Sequence, residues 1–161
     1  MKKIVLILGL LVIFVCLFSG CIDDSAINDT AENNSIMISE NAINVTFQPT
    51  VNIHEDGKIH ISGTTNLFDH ASLMLTIRGE TGTAQDKTIV LDNKFEFATM
   101  SSKGEAFPPG VYNGTISVSL PGTQPKEFVE KAGKNYENLT GPWIREGSGP
   151  SIRYEFQFEI K

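Results

Sequence analysis

The sequence predicts an all-β domain, an antiparallel sandwich of about seven strands with a short helix inserted before the last strand. Three observations support this fold class. Short runs alternate between apolar and polar side chains, which is the pattern of a half-buried strand. Turn-forming residues separate the runs, and one segment between the last two runs has helical spacing instead.

The predicted strands carry apolar residues at every second position, which places these side chains on one face of each strand. The last run is the longest, and its apolar residues alternate with charged or amide side chains. The apolar positions, in chain order, are Val45 and Phe47; Ile59 and Ile61; Leu73, Leu75 and Ile77; Ile89 and Leu91; Phe95 and Phe97; Tyr112, Ile116, Val118 and Leu120; and Ile152, Tyr154, Phe156, Phe158 and Ile160.

Turns are predicted where the chain reverses between these runs. Asp56-Gly57 readily supplies positive φ and predicts a hairpin, and Asp92-Asn93 separates the fourth run from the fifth. Pro108-Pro109-Gly110 forces an extended approach and a sharp turn. Residues 107–112 resemble the start of the F strand in immunoglobulin-like and fibronectin-type domains. The cysteine pair and core tryptophan of antibody domains are absent, so the resemblance implies an immunoglobulin-like architecture and no defined family.

Residues 124–134 predict the inserted helix. Pro125 suits the first helical turn, and Gly133 suits the position just past the helix end. Three apolar residues fall at helical spacing: Phe128, Val129 and Ala132. The loop that follows contains Trp143, the only tryptophan of the chain.

The N-terminus has the three parts of a secretory signal peptide. Lys2 and Lys3 form a positive start, and residues 4–18 are fifteen uncharged residues. Ser19-Gly20-Cys21 resembles the lipobox of lipoprotein signal peptides, with Phe18 where that family prefers Leu. The resemblance implies that residues 1–20 are removed and that Cys21 carries a diacylglycerol thioether. The protein would then lie on the extracytoplasmic face of the cell membrane, held by its lipid.

Two alternatives for this segment are an uncleaved signal anchor and a conventionally cleaved, secreted protein. A helix of fifteen residues is about 22 Å long, short of the roughly 30 Å hydrocarbon core of a bilayer. An uncleaved anchor would therefore need flanking residues to complete the span.

Residues 21–42 predict an acidic, flexible tether between the lipid and the domain at residues 43–161. The segment has five acids, no base, no aromatic residue and only scattered apolar side chains. Such a composition buries too little surface to offset the entropy of ordering it. The alternative is that residues 36–38 add an edge strand to the domain.

Composition narrows the function classes. The net charge is −6, and no basic face is visible, which argues against a nucleic-acid partner. The only cysteines are Cys16 and Cys21, so the predicted domain has neither a disulfide nor a cysteine-based metal site or nucleophile.

No convergent catalytic group is evident, so we expect neither an enzyme nor a cofactor. His54, His60 and His70 could in principle bind zinc or copper, but His60 lies on the polar face of its strand, and we expect no metal site. Gly147-Ser148-Gly149 lacks the strand-to-helix context of a serine nucleophile.

The residues with binding character are Tyr136 and Trp143, which lie near Phe128 in the sequence. Exposed aromatic residues in loops often stack on sugars or anchor a protein partner. The alternative is that Phe128 and Trp143 fix the helix to the sheet. Five Asn-x-Ser/Thr sequons are potential glycan acceptors in a secreted chain, although their number is also compatible with chance: Asn28, Asn33, Asn44, Asn113 and Asn138.

These observations predict a lipid-anchored extracytoplasmic protein whose β-sandwich is a structural or protein-interaction module. The partners implied are the membrane and a cell-surface protein or glycan. The alternative function is a module that binds a surface glycan or a small solute and serves a transporter.

Overall fold

The structure is a computed structural model that describes residues 39–80 and 82–161. The predicted signal peptide, Cys21 and residues 21–38 of the predicted tether lie outside the described residues. The described elements are β1 (Ile43–Asn44), β2 (Phe47–Ile53), β3 (Ile59–Thr65), β4 (Ser72–Gly79), β5 (Gly82–Ile89), β6 (Lys94–Glu96), β7 (Gly110–Val118), α1 (Lys126–Ala132), β8 (Leu139–Thr140), β9 (Ile144–Arg145) and β10 (Ser151–Ile160).

Two antiparallel sheets share one apolar core in a sandwich-like arrangement. The larger sheet has five strands in the order β5-β4-β7-β10-β9, and the smaller has three in the order β2-β3-β6. A separate two-residue parallel pair joins β1 to β8. The prediction of a mainly antiparallel β domain with one helix is therefore confirmed. The described part of the chain contains ten strands, three of them only two residues long.

Strand β10 is the longest strand, and its register fixes the arrangement of the larger sheet. It pairs with β7 along nine positions, from Ile152 opposite Val118 to Ile160 opposite Gly110. Gly114 lies directly opposite Phe156, and a side chain at position 114 would occupy the space of the Phe156 ring. The glycine therefore allows the ring to lie flat across the neighbouring strand.

The core is formed by the alternating apolar residues of both sheets, as predicted for most strands. Leu73, Leu75 and Ile77 of β4 are fully buried, as are Ile59 and Ile61 of β3. Thr65 is the only buried polar residue of the described chain, and its hydroxyl donates a hydrogen bond to the carbonyl of Thr46 at 2.7 Å. Stability therefore depends on hydrophobic burial.

The predicted core face of the fourth strand was wrong. Ile89 and Leu91 are 45% and 49% exposed, whereas Val90 is fully buried. Strand β5 ends at Ile89, which pairs with the outer-face residue Ser72. Val90 then exchanges backbone hydrogen bonds with the segment at Ala71, which turns its side chain into the core. Leu120 is likewise 41% exposed, because β7 ends at Val118 before reaching it.

The predicted helix is confirmed as α1, which has seven residues. Pro125 is its N-cap residue, and Gly133 at its C-cap has φ of 91°, a conformation that favours glycine. Phe128 and Ala132 are its buried residues. The helix, which lies between β7 and β8 in the chain, thus docks by one apolar face.

The turn into β7 is closed by a tyrosine. The hydroxyl of Tyr112 donates a hydrogen bond to the carbonyl of Pro108 at 2.7 Å. The Tyr112 ring packs edge-on against Phe107, with 5.5 Å between ring centroids. Tyr112 therefore joins the Pro-Pro-Gly turn to the core.

The domain includes residues 39–42 of the predicted tether. The backbone N–H of Ser39 donates to the carbonyl of Glu137 at 2.7 Å, and Ala42 donates back to Ser39 at 3.0 Å. The hydrogen-bonded structure therefore begins at least four residues before the predicted boundary at Ile43.

Candidate functional site

A row of half-buried aromatic side chains along β10 is the candidate site. Tyr154, Phe156 and Phe158 lie on the inner face of the strand, and each is partly exposed. Their ring centroids are 6.0 Å and 6.2 Å apart, with nearly parallel planes. Trp143 extends the row at one end, 4.8 Å from Tyr154 and edge-on to it. We call these four residues the aromatic row.

The row follows from the two-residue period of a strand. Alternate side chains project to the same face about 6.6–6.8 Å apart, so consecutive aromatic rings can stack. The row is attached to the core at two points: Phe158 stacks on Tyr112 at 5.7 Å, and Tyr154 lies 5.3 Å from Phe47 of β2. The rings are therefore held in place while part of their surface meets solvent.

The aromatic row lies beside an open strand edge. Strand β9 pairs with β10 only at Ser151 and Ile152, and the Arg153 N–H then donates to the Trp143 carbonyl at 2.8 Å. Beyond that point, no strand among residues 39–80 and 82–161 pairs with this edge of β10. Unpaired backbone donors and acceptors at such an edge are available to another strand.

The outer face of β10 is polar. Arg153 Nε donates to Glu155 Oε1 at 2.7 Å, and both side chains are more than half exposed. Together with Arg78, Thr115 and Gln157 they line a depression of about 500 Å³. One strand therefore presents a charged face and an aromatic face on opposite sides of the sheet.

The structure separates the two predicted binding residues. Tyr136 is 1% exposed, packs edge-on against Phe128 at 5.8 Å, and donates its hydroxyl hydrogen to the Ser119 carbonyl at 2.5 Å. Burial raises the pKa of the Tyr136 hydroxyl, which keeps that donor protonated. Tyr136 is thus a core residue, whereas Trp143 retains accessible surface and packs on Tyr154.

The alternative prediction, that Phe128 and Trp143 fix the helix to the sheet, also needs revision. Phe128 and Tyr136 fix helix α1, whereas Trp143 packs on β10. Tyr154, Phe156 and Phe158 were assigned to the core from their alternation, and their position beside an open edge was missed. The only sequence signal for this position is the length of the last alternating run, residues 152–160. Alternation itself does not identify the edge strand of a sheet.

The histidines are only partly brought together. The rings of His54 and His60 are 6.2 Å apart, and His60 Nε2 lies 3.0 Å from Glu96 Oε1. His70 lies in a turn with φ of 69°. Within the described ranges, no three His, Cys, Asp or Glu side chains form a group that could hold a metal ion.

Three of the five sequons are in the described structure. The side chains of Asn44 and Asn113 are exposed. Asn138 is half-buried, and its Nδ2 donates to the Lys131 carbonyl at 2.8 Å. Asn28 and Asn33 lie outside the described residues.

Replacing Trp143 with alanine should lower the free energy of unfolding by about 1–3 kcal/mol, less than for a fully buried aromatic residue. The indole is half-buried against Tyr154 and covers one end of the aromatic row. Urea unfolding followed by far-UV circular dichroism would measure the change. Arg145→Ala, at an exposed position of β9, is the control. Unchanged stability of the Trp143 variant would contradict a packing role.

Comparison of the chain with protein-family models, with curated proteins and with solved structures gave no match. In the part of the chain that the structure describes, no helix has the length and apolar character needed to cross a membrane.

Proposed function

We propose that this chain is a lipid-anchored extracytoplasmic protein whose β-sandwich acts as a structural or protein-interaction module. The observation that carries the interaction part is the aromatic row beside the open edge of β10. A strand edge offers main-chain hydrogen bonds, and half-buried aromatic side chains offer apolar surface. Together these are the two components of binding by strand addition.

The anchoring part of the proposal rests on the sequence around Cys21. Small residues precede the cysteine at the end of a fifteen-residue apolar run, as in a lipobox. Each buried methylene of an acyl chain adds about 0.8 kcal/mol, so two chains give stable attachment. Residues 21–38 would connect the lipid to the hydrogen-bonded domain that begins by Ser39.

We propose an immunoglobulin-like topology for the sandwich. Two features support it: the facing antiparallel sheets, and the bond from the Tyr112 hydroxyl to the carbonyl four residues upstream. A tyrosine that bonds back across the turn at the start of a strand occurs at the corner of many such domains. This proposal concerns architecture and implies no particular ligand.

A glycan-binding module is the second candidate, and the pair of Trp143 and Tyr154 favours it. Both rings are partly exposed and their centroids are 4.8 Å apart. Aromatic faces of this kind can stack on sugar rings. A glycan array probed with the wild-type protein and the Trp143→Ala variant would separate the candidates. Binding that the variant loses would favour the glycan module.

Replacing Cys21 with serine should abolish lipid attachment completely, because serine has no thiol on which to form the thioether. The full chain would be expressed in a host that processes lipoproteins, and the mass of the N-terminal peptide would be measured. For the wild-type chain we expect a peptide that begins at Cys21 and carries a lipid. Cys16→Ser is the matched control, and its mature N-terminus should be identical to the wild type.

The mass of that peptide is the deciding measurement, because an uncleaved apolar segment could itself hold the Cys21→Ser chain on a membrane. An unmodified wild-type peptide that begins after Cys21 would refute the anchoring proposal. So would a wild-type chain that keeps residues 1–20 without a lipid on Cys21.

A further inference from the structure

We infer that the partner at the open edge of β10 is a second copy of this chain. Two β10 strands would pair antiparallel about a two-fold axis and join the two larger sheets into one continuous sheet. This deepens the proposed interaction function, because it names the partner of the same surface. It does not depend on Cys21 and can be tested without the lipid anchor.

The other strand edges are less suited to pairing. The third residue of strand β2 is Pro49, which lacks a backbone N–H. The free side of β5 is bridged by a hydrogen bond from the Ala98 N–H to the Asp86 carboxylate at 2.7 Å. Strand β10, by contrast, has neither proline nor glycine over its ten residues, and pairs on this side only at its first two positions. It is therefore the longest unprotected edge of the described fold.

The hydrogen bond from Arg153 to Trp143 shows which backbone groups face the open edge. In an antiparallel sheet, the N–H and C=O of one residue point to the same side, and residues two apart point the same way. Because Arg153 N–H points away from β7, so do the backbone groups of Glu155, Gln157 and Glu159. Trp143 already occupies the position opposite Arg153. A second strand can therefore pair only beyond Arg153.

Four ways of pairing β10 with itself satisfy the hydrogen-bond geometry and overlap by at least five residues beyond Arg153. An axis at Glu159 would place the Glu159 side chains of the two copies opposite each other, which is unfavourable. A two-fold axis at Phe156 would place Glu159 of the second copy opposite Arg153, where Trp143 already lies. An axis at Gln157 would place Glu155 opposite Glu159 of the second copy, and like charges opposite each other are unfavourable. An axis at Phe158 avoids all of these problems.

With the axis at Phe158, opposite charges and apolar side chains are paired. Glu155 lies opposite Lys161 of the second copy, and Gln157 lies opposite Glu159; each pair occurs twice by symmetry. On the inner face, Phe156 lies opposite Ile160 of the second copy, and the two Phe158 residues face each other. The exposed parts of Phe156 and Phe158 are thus covered by Ile160 and Phe158 of the other copy, so this part of the surface is self-complementary, as a two-fold interface requires.

Reversing one charge and then restoring the pair tests this register. The protein used is residues 35–161, which contain every described strand and helix. Sedimentation equilibrium should show a monomer–dimer equilibrium. Glu155→Lys places two positive charges opposite each other and should weaken the dimer about tenfold. The double variant Glu155→Lys/Lys161→Glu should restore wild-type affinity.

Both substituted side chains are exposed, so folding should be preserved, and circular dichroism of each variant checks this. A wild-type 35–161 protein that stays monomeric at all concentrations would overturn the inference. A dimer that Glu155→Lys does not weaken, or that the double variant does not restore, would overturn it as well. A monomeric 35–161 protein together with a lipidated Cys21 in the full chain would refute the pairing and leave the anchoring proposal intact.

Cysteine cross-linking tests the same register in the full chain in membranes. Residues 39–161 contain no natural cysteine, and the unsubstituted chain controls for Cys16 and Cys21. Hydrogen-bonded positions of paired strands have Cα atoms about 5.5 Å apart, within reach of a disulfide. Two differently tagged chains, Gln157→Cys and Glu159→Cys, should cross-link when co-expressed. Glu155→Cys with Glu159→Cys should cross-link at least tenfold less. The reverse preference, or cross-links only to another protein or within one chain, would overturn the inference.

Discussion

Replacing Phe128 with alanine is expected to lower the free energy of unfolding by about 3–5 kcal/mol, the range for a fully buried phenylalanine. Phe128 has no exposed surface and packs against Tyr136 at 5.8 Å between ring centroids. Helix α1 has only seven residues, and isolated helices of this length are unstable in water. The helix therefore forms because Phe128 and Ala132 dock it, and removal of the ring weakens both the packing and the helix.

Urea unfolding, monitored by far-UV circular dichroism, would measure this loss. Glu130→Ala is the matched control, because Glu130 is on the same helix with an exposed side chain and alanine preserves the helix. Its ion pair with Lys126 is a surface pair at 3.4 Å, so the control should change stability by less than about 0.5 kcal/mol. Equal stabilities for the two variants would contradict the docking role of Phe128.

Helix α1 was predictable because its signals are local. Pro125 precedes it, Gly133 follows it, and the apolar residues between them have helical spacing. The same holds for β4 and β10, where a strict two-residue alternation matches the buried faces. For these three elements, local signals indicate both the type of the element and the side that it buries.

Pairing partners depend on residues far apart in the chain, and here the sequence was less informative. The register between β4 and β5 places Ile89 opposite Ser72 on the outer face, so the apolar pair Ile89 and Leu91 is exposed and Val90 is buried instead. Two alternating apolar residues predict a common face but do not indicate which face meets the core. Only the pairing with β4 settles that choice.

The two predicted binding residues, Tyr136 and Trp143, show the same limit of local sequence signals. Composition and loop position alone do not distinguish Tyr136 from Trp143 as a candidate binding residue. The structure distinguishes them, because the Tyr136 hydroxyl finds an acceptor at Ser119, seventeen residues earlier, and its ring is buried. Trp143 instead lies at the open edge because β9 is only two residues long. Neither the long-range acceptor nor the early end of a strand has a local sequence signal.

Replacing Gly63 with alanine should lower the free energy of unfolding by about 3 kcal/mol, the upper part of the range for overpacking. Gly63 lies in β3 opposite both Pro49 of β2 and Phe95 of β6. A Cβ atom at this position would collide with the backbone carbonyl of Gln48, and would lie 2.9 Å from Pro49 Cα and 2.7 Å from Phe95 Cζ. A side chain can rotate away from such a contact, but the backbone of a paired strand cannot, so the β2–β3 pairing must shift.

The sign of the Gly63→Ala effect is the informative part, because alanine normally suits a strand interior better than glycine by roughly 0.5–1 kcal/mol. Gly147→Ala is the control, since a Cβ atom there meets nothing within 4 Å. That variant should leave stability unchanged or raise it by about 0.4–1 kcal/mol, by restricting the unfolded chain. Thermal and urea unfolding of both variants would give the comparison. A Gly63→Ala protein as stable as the wild type would mean that β2 and β3 are less closely packed than the register Pro49–Gly63 requires.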